Sequence, residues 1–546
     1  MVTVRRDIPG RCFSTSPLSG SGWGGKTGIG GFAGGVSWGR PENEFAEARG
    51  SRNSFGGYQM KLVKSLLLGS AAGIAAVAGA QAADLPSRKA APVEYVRVCS
   101  AYGAGFFYIP GTDTCLRVGG RVRAEYTVGS RYGDTNDSYG SRARGRLNVD
   151  ARTATAFGTL RTFFRYELTN STGLYNNTLN GNQGIVAPGA PRTLTGSTAS
   201  SANLDLAFVQ FGPITAGRAQ SFFDFYANDL GFTTVRTADS RLNLLAYTAT
   251  FGSGFSATLS LEDRVSGTGS RESGIALVGT NAAGEPIGLG VGSYLGQDYP
   301  DIVASLRVDQ GWGSAQLSAA LSQRSINNAG LNTVFGPGGA AAGGIANGNG
   351  IFVGNKDEMG WAIQGGVKIN LPMLAAGDFL FLQAAYADGA LGYLGWGGNM
   401  GVGRISAFNS QLAVADFGVN AIGNVDSSTG WSIVAALRHF WTPTLRSELV
   451  ASYSELKLGY VLGAQNVGGQ INRPLDPKEL IVSGNLIWSP VSGLDIGVEV
   501  LYTSTNLRQP VLSGNNLGNR IAVGNGGSLV KSDDAWAGRF RIQRDF

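Results

Sequence analysis

From residue 116 to the C-terminus, apolar and polar side chains alternate with a period of two. Between Arg142 and Ala154, Arg142, Arg144, Arg146, Asn148, Asp150 and Arg152 share one face, and Ala143, Leu147, Val149 and Ala151 the other. An extended strand sends successive side chains to opposite faces, whereas a helical stripe would recur at three and four. Phe255, Ala257, Leu259 and Leu261 oppose Ser256, Thr258, Ser260 and Glu262, and Ile496, Val498 and Val500 oppose Asp495 and Glu499. The pattern predicts sixteen strands: 116–126, 142–154, 160–169, 203–211, 214–218, 241–251, 255–263, 301–309, 315–323, 360–370, 379–387, 430–440, 445–455, 479–488, 494–504 and 535–546.

A half-buried strand of a soluble sandwich would alternate too, so the connections decide. They run short, then long. Tight turns are read near 158–159, 212–213, 252–254, 310–314, 371–378, 442–444 and 489–493, and Gly/Asn/Ser/Asp-rich loops fall between them, as at 170–202, 264–300, 324–359, 388–429 and 505–534. This is the pattern of an all-β fold, a transmembrane antiparallel β-barrel, with turns on the periplasmic side and loops outside. Lipid cannot satisfy an open sheet edge, so the sheet must close. Sixteen strands leave an aqueous lumen.

The last strand carries Trp536, Phe540, Ile542 and Phe546 on one face and Arg539, Arg541, Gln543 and Asp545 on the other, and Arg544 can snorkel to the interface. A strand ending in Phe546 resembles the recognition signal of the barrel-assembly machinery. Trp361, Trp431, Trp441, Trp488 and Trp536 fall at strand ends, where an aromatic girdle would sit.

The N-terminal region reads differently. Lys61 and Lys64 precede an apolar run from Leu66 to Ala80, and Ala80-Gln81-Ala82 is an A-x-A cleavage site, so 60–82 is expected to be a signal peptide. Residues 1–59 then read as an over-called, disordered start, and 83–115 as the mature segment before the barrel at 116–546. Gly20 to Thr27 matches a phosphate-loop pattern, but no apolar strand precedes it and the Gly-rich run after it disfavours a helix. No nucleotide site is expected.

Composition sharpens the class. The chain of 546 residues holds 84 glycines, 15% charged residues and one histidine. Charge is well below the ~25% of soluble domains. A lone His439, beside a short turn, argues against a barrel enzyme, and neither metal nor cofactor is expected. Removing residues 1–82 takes 9 of 44 basic and 4 of 38 acidic residues, leaving 35 against 34, so the apparent basicity gives no reason to expect nucleic acid. Cys99 and Cys115 remain; export and an even count suggest a disulfide, with two free thiols as the alternative.

The segment Ala83-Asp84-Leu85-Pro86-Ser87-Arg88-Lys89 through Cys99, the stretch Cys115-Leu116-Arg117-Val118-Gly119-Gly120-Arg121-Val122-Arg123, Gly217 to Phe223, and His439-Phe440-Trp441-Thr442-Pro443 resemble the alphaproteobacterial general porin family. The resemblance spans 83–546. It implies a homotrimer of sixteen-stranded outer-membrane barrels, surrounded by lipid, whose third long loop folds inward and through which small hydrophilic solutes and ions diffuse passively.

Between 117 and 165 ten arginines face four acids. Alternation puts Arg117, Arg121, Arg123, Arg142, Arg144, Arg146, Arg161 and Arg165 on the lumen side, because such rows in lipid would cost ~2–4 kcal/mol each at the midplane. The third loop, about 219–240, carries Asp224 and Asp229, and the resemblance implies that these acids oppose the basic wall across a constriction. Structural ion pairing is the competing role for any one arginine. A substrate-specific channel, for a sugar for example, is the rival function; a plugged transporter would need a larger N-terminal domain.

Overall fold

The computed structural model describes residues 97–130, 138–175, 198–264, 275–280, 286–292, 298–326, 356–396, 414–419, 425–459, 476–513 and 528–546. The expected leader and signal peptide lie outside these residues.

Sixteen strands close one antiparallel barrel. In chain order they are β1 Thr114–Gly129, β2 Tyr139–Thr155, β3 Gly158–Thr172, β4 Thr198–Phe211, β5 Ile214–Gln220, β6 Arg241–Gly252, β7 Phe255–Glu262, β8 Asp301–Gln310, β9 Gly313–Ile326, β10 Lys356–Asn370, β11 Phe379–Asp388, β12 Thr429–Thr442, β13 Leu445–Lys457, β14 Lys478–Val491, β15 Leu494–Ser513 and β16 Ser528–Asp545. Each pairs with its neighbour, and β16 pairs with β1 from Arg121↔Asp545 to Gly129↔Ala537. The chain's last peptide seals the seam: the Phe546 N–H donates to Gly120 O (3.0 Å) and the Gly120 N–H to Phe546 O (2.8 Å).

The alternation is inverted relative to a soluble sheet. Val122, Leu147, Leu259, Leu306, Leu317, Leu449 and Val498 are exposed on the outside, while Ser260, Ser318, Gln364, Ser432, Glu448, Ser483 and Glu499 are buried inside. Only a hydrocarbon solvent makes that arrangement favourable. Ring pairs Trp361–Tyr386, Trp431–Tyr453 and Tyr502–Trp536 sit at the loop ends of their strands, and Trp312, Trp441 and Trp488 lie exposed near the turns. The outward Arg544 reaches back to Ser492 O at a turn, which keeps its charge at the barrel rim.

Before β1, Cys99 and Cys115 form a disulfide, and with Phe106 they make a small buried cluster covered by Tyr102 and Tyr108. The loops hold more structure than their composition suggested. Ile275–Thr280, Pro286–Gly292, Phe417–Val419 and Val425–Ser427 form a separate four-stranded sheet joining the fourth and sixth long loops. β15 and β16 also pair out to Ser513↔Ser528, well past the expected strand limits.

Candidate functional site

The third long loop, Ser221–Ser240, leaves β5 and returns to β6 through the lumen. Its base is tied by the Ser221 N–H to Ser240 O (3.0 Å) and by Glu262, which accepts from the Ser221 hydroxyl (2.6 Å) and the Phe222 N–H (3.0 Å). Inward-facing side chains of successive strands then hold its backbone. Gln364 Nε2 of β10 donates to Phe223 O (2.8 Å), Gln383 Oε1 of β11 accepts from the Tyr226 N–H (2.8 Å), and Glu448 of β13 accepts from the Gly231 N–H (2.8 Å). Glu499 of β15 accepts from the Phe232 N–H (2.5 Å) and the Thr233 hydroxyl (2.7 Å). The loop thus lies against the wall from β9 to β16. Its outer edge touches the arginine side at one point, where Arg539 and Arg541 donate to Phe232 O.

The return limb is bolted. Arg236, 1% exposed, pairs with Glu479 of β14 (2.6 Å), donates to Gly395 O (3.0 Å) and stacks over Trp396 at 3.7 Å. Trp396 belongs to the sixth long loop, which also folds inward: Leu391, Tyr393, Leu394 and Trp396 are fully buried and pack against Phe223 and Ala238 of the third loop. The sixth loop is anchored in turn by Asp416, which accepts from the Leu391 N–H (2.8 Å) and pairs with Arg324 (3.4 Å); Tyr393 donates to Asp301 (2.8 Å). The expectation named one inward loop. Two loops fill this side of the lumen, because an apolar run inside the sixth loop gives it a core of its own.

The opposite wall carries the arginines, on β1 to β3, with Asp205 of β4 beside them. Glu125 is shared by Arg142 (2.5 Å) and Arg541 (2.6 Å). Arg121 pairs with Asp545 (2.5 Å) and Arg146 with Glu167 (2.5 Å). Arg165 donates to Asn148 (2.9 Å) and reaches Asp205 (3.4 Å). Arg123 donates to Gln543 (2.9 Å), and Arg144 to Thr169 (3.1 Å) with Glu167 at 3.6 Å. The six of these on β1 to β3 share one face with water access, while Arg541 of β16 is buried. Arg117 and Arg161 sit nearer the turns: Arg117 lies opposite Asp150 in the register, and Arg161 binds Asp150 at 3.0 Å beside Arg152.

The two loop acids part company. Asp224 is 8% exposed and accepts from Gln220 Nε2 (2.6 Å) and the Ser240 N–H (2.7 Å), bonds that clasp the neck of the loop. Asp229 is exposed. The enclosing protein, and then the Asp239 carboxylate, raise its pKa above the ordinary aspartate range, with Lys368, Arg438 and Arg241 partly offsetting them. His439, the single histidine, is held at 2.6 Å from Asp378 at a turn.

Residues that sequence reasoning missed are those that hold rather than line: Arg236, Glu479, Glu448, Glu499, Gln364, Gln383 and Gln316 of β9, whose Nε2 donates to Phe222 O (3.1 Å). Their inward position follows from the alternation. Their partners, loop backbone far away in sequence, do not.

Comparison with known proteins adds the following. The family model described as "Porin subfamily" matches residues 84–527. Porin Omp2b of Brucella suis is 36% identical over 265 residues, covering 46% of this chain and 64% of that protein. Porin Omp2b of Brucella abortus (strain 2308) is 36% identical over 266 residues, with the same coverage. The match therefore spans a little under two thirds of these relatives' length. Among solved structures, the outer membrane channel DcaP of Acinetobacter baumannii superposes with a TM-score of 0.50 at 16% identity, covering 80% of this chain and 99% of that one. That likeness concerns the fold.

Proposed function

The chain belongs to the porin subfamily, and from that premise we propose that it is a general diffusion porin of the outer membrane, passing small hydrophilic solutes and ions without a bound cofactor. The observation that carries this reading is the division of the lumen. Among the described residues, the third and sixth loops occupy the side from β8 to β16, and the arginines of β1 to β3 keep water access on the other. Charged side chains around a narrow lane set ion preference without a binding step.

The constriction assigned here comprises Arg121, Arg123, Arg142, Arg144, Arg146 and Arg165 on the wall and Asp229 on the loop; Arg117 and Arg161 serve the turn-side vestibule and Asp224 the loop's shape. The protein is exported by the segment at 60–82 and inserted by the barrel-assembly machinery through its final strand. It works as a homotrimer in lipid. A sugar-specific slide is less well supported: the inner rings Phe379 and Phe381 are covered by Lys368, whose ammonium lies 4.2 and 5.3 Å from their centroids.

Reconstituted in liposomes, the mature protein should give swelling rates that fall smoothly with solute size for sugars and amino acids alike. Saturation by one sugar, with block of ion current by that sugar, would favour the specific channel instead.

A further inference from the structure

The arginine wall is built in rungs, and its rungs differ in charge balance. On the loop side, Glu125 serves Arg142 and Arg541. On the turn side, Arg121 and Arg146 each hold a carboxylate at 2.5 Å. Between these rungs Arg123 and Arg144 stand directly opposite each other across the β1–β2 ladder. Like charges in that position repel, and directly opposed Cβ atoms are only ~4.5–5.5 Å apart.

Neither guanidinium holds a carboxylate as closely as its neighbours do. Arg123 spends its Nε–H on Gln543, and among the described residues no carboxylate lies within ion-pair distance of it. Arg144 spends its Nε–H on Thr169, and its nearest carboxylate, Glu167 at 3.6 Å, is already taken by Arg146 at 2.5 Å. Both side chains keep access to lumen water. The middle rung therefore places two guanidinium forks side by side with a single acid in reach, Glu167 at 3.6 Å from Arg144, which Arg146 holds more closely.

We propose that Arg123 and Arg144 form an oxyanion-binding rung, at which a phosphate or carboxylate group is held by both guanidinium forks while it passes. The planar forks match two oxygens of one anion, a geometry that an ammonium cannot reproduce. The site deepens the porin reading and rests on it. It gives the lane a preferred cargo, small solutes bearing a phosphate or carboxylate, rather than a uniform positive field.

The test is single-channel recording of the mature protein in dilute potassium chloride, with inorganic phosphate titrated in at constant ionic strength. The rung predicts that chloride current falls along a saturating curve. Arg123→Lys keeps the charge and loses the fork, so it should weaken the apparent phosphate affinity at least about ten-fold, the worth of a charge-assisted hydrogen bond. Arg123→Gln with Arg144→Gln should abolish saturation while heat-modifiable gel mobility reports an intact barrel. A linear phosphate effect, or one unchanged in Arg123→Lys, would mean that the wall acts only as a field and overturns the rung. Absence of any channel would instead overturn the porin reading.

Discussion

At the residue scale, the two loop carboxylates differ in their surroundings, and ion selectivity tests what each does. Asp229→Asn should move the reversal potential under a salt gradient toward anions. A charge a few ångströms from the ion path is worth about 1 kcal/mol in water-like surroundings, roughly five-fold in relative permeability. The shift should shrink as salt rises, since screening shortens from ~10 Å at 0.1 M to ~3 Å at 1 M. Because the pKa of Asp229 is raised, it takes up its proton at a higher pH than an ordinary aspartate. On acidification the native pore should therefore drift toward the selectivity of Asp229→Asn before unperturbed aspartates titrate, and the variant should lack that early phase. Coincident pH profiles would remove Asp229 from the ion path. Asp224→Asn should act differently, by loosening the loop's neck, since its carboxylate accepts from Gln220 and Ser240. Sequence alone placed both acids on the third loop but could not separate them. Which of two neighbouring carboxylates turns inward depends on hydrogen bonds to Ser240, sixteen residues on.

At the element scale, the third loop is a segment fastened to other elements, and its stiffest fastening is Arg236. Removing one partner of a buried ion pair leaves the other uncompensated, at a cost of about 3–5 kcal/mol. Arg236→Ala should free the return limb and give larger, noisier unit conductance with the barrel still folded; Glu479→Gln should do so more mildly, since Trp396 and Gly395 O still hold the guanidinium. Unchanged conductance in Arg236→Ala would show that the other anchors suffice. The disulfide is a second fastening. It closes a segment of about 15 residues, worth roughly 3 kcal/mol in the chain-entropy model. Cys99→Ser with Cys115→Ser should open the cluster around Phe106 to limited proteolysis while leaving the barrel core protected; equal protease resistance would assign the stability to packing alone. The strands themselves were legible because period two, read against the turns, leaves one solution. Loop architecture was not. The glycine-rich composition of the sixth loop masks Leu391, Tyr393, Leu394 and Trp396, whose burial depends on a surface supplied by the third loop. The sheet joining the fourth and sixth loops needs the parallel pairing of Ile275–Leu277 with Phe417–Val419, two segments well over a hundred residues apart.

At the scale of the whole molecule, closure runs through the backbone of Phe546. Phe546 makes two backbone hydrogen bonds with Gly120, and its ring lies where a side chain at position 120 would have to go. Its ring is nonetheless 69% exposed, so it adds little to the buried core. Within the barrel each described strand is paired on both sides, so the seam leaves no open edge there. If the ring serves recognition by the assembly machinery, Phe546→Ala should leave refolding into detergent micelles nearly unchanged, because both backbone bonds persist. The same substitution should lower the amount of folded protein in the outer membrane of cells several-fold, which quantitative blotting of heat-modifiable bands would measure. Gly120→Leu should do the reverse, impairing refolding in micelles by displacing the ring and the seam together. Should Phe546→Ala refold as poorly as Gly120→Leu, the ring is a structural plug, and the recognition signal lies in the apolar face of Trp536, Phe540 and Ile542 upstream of it.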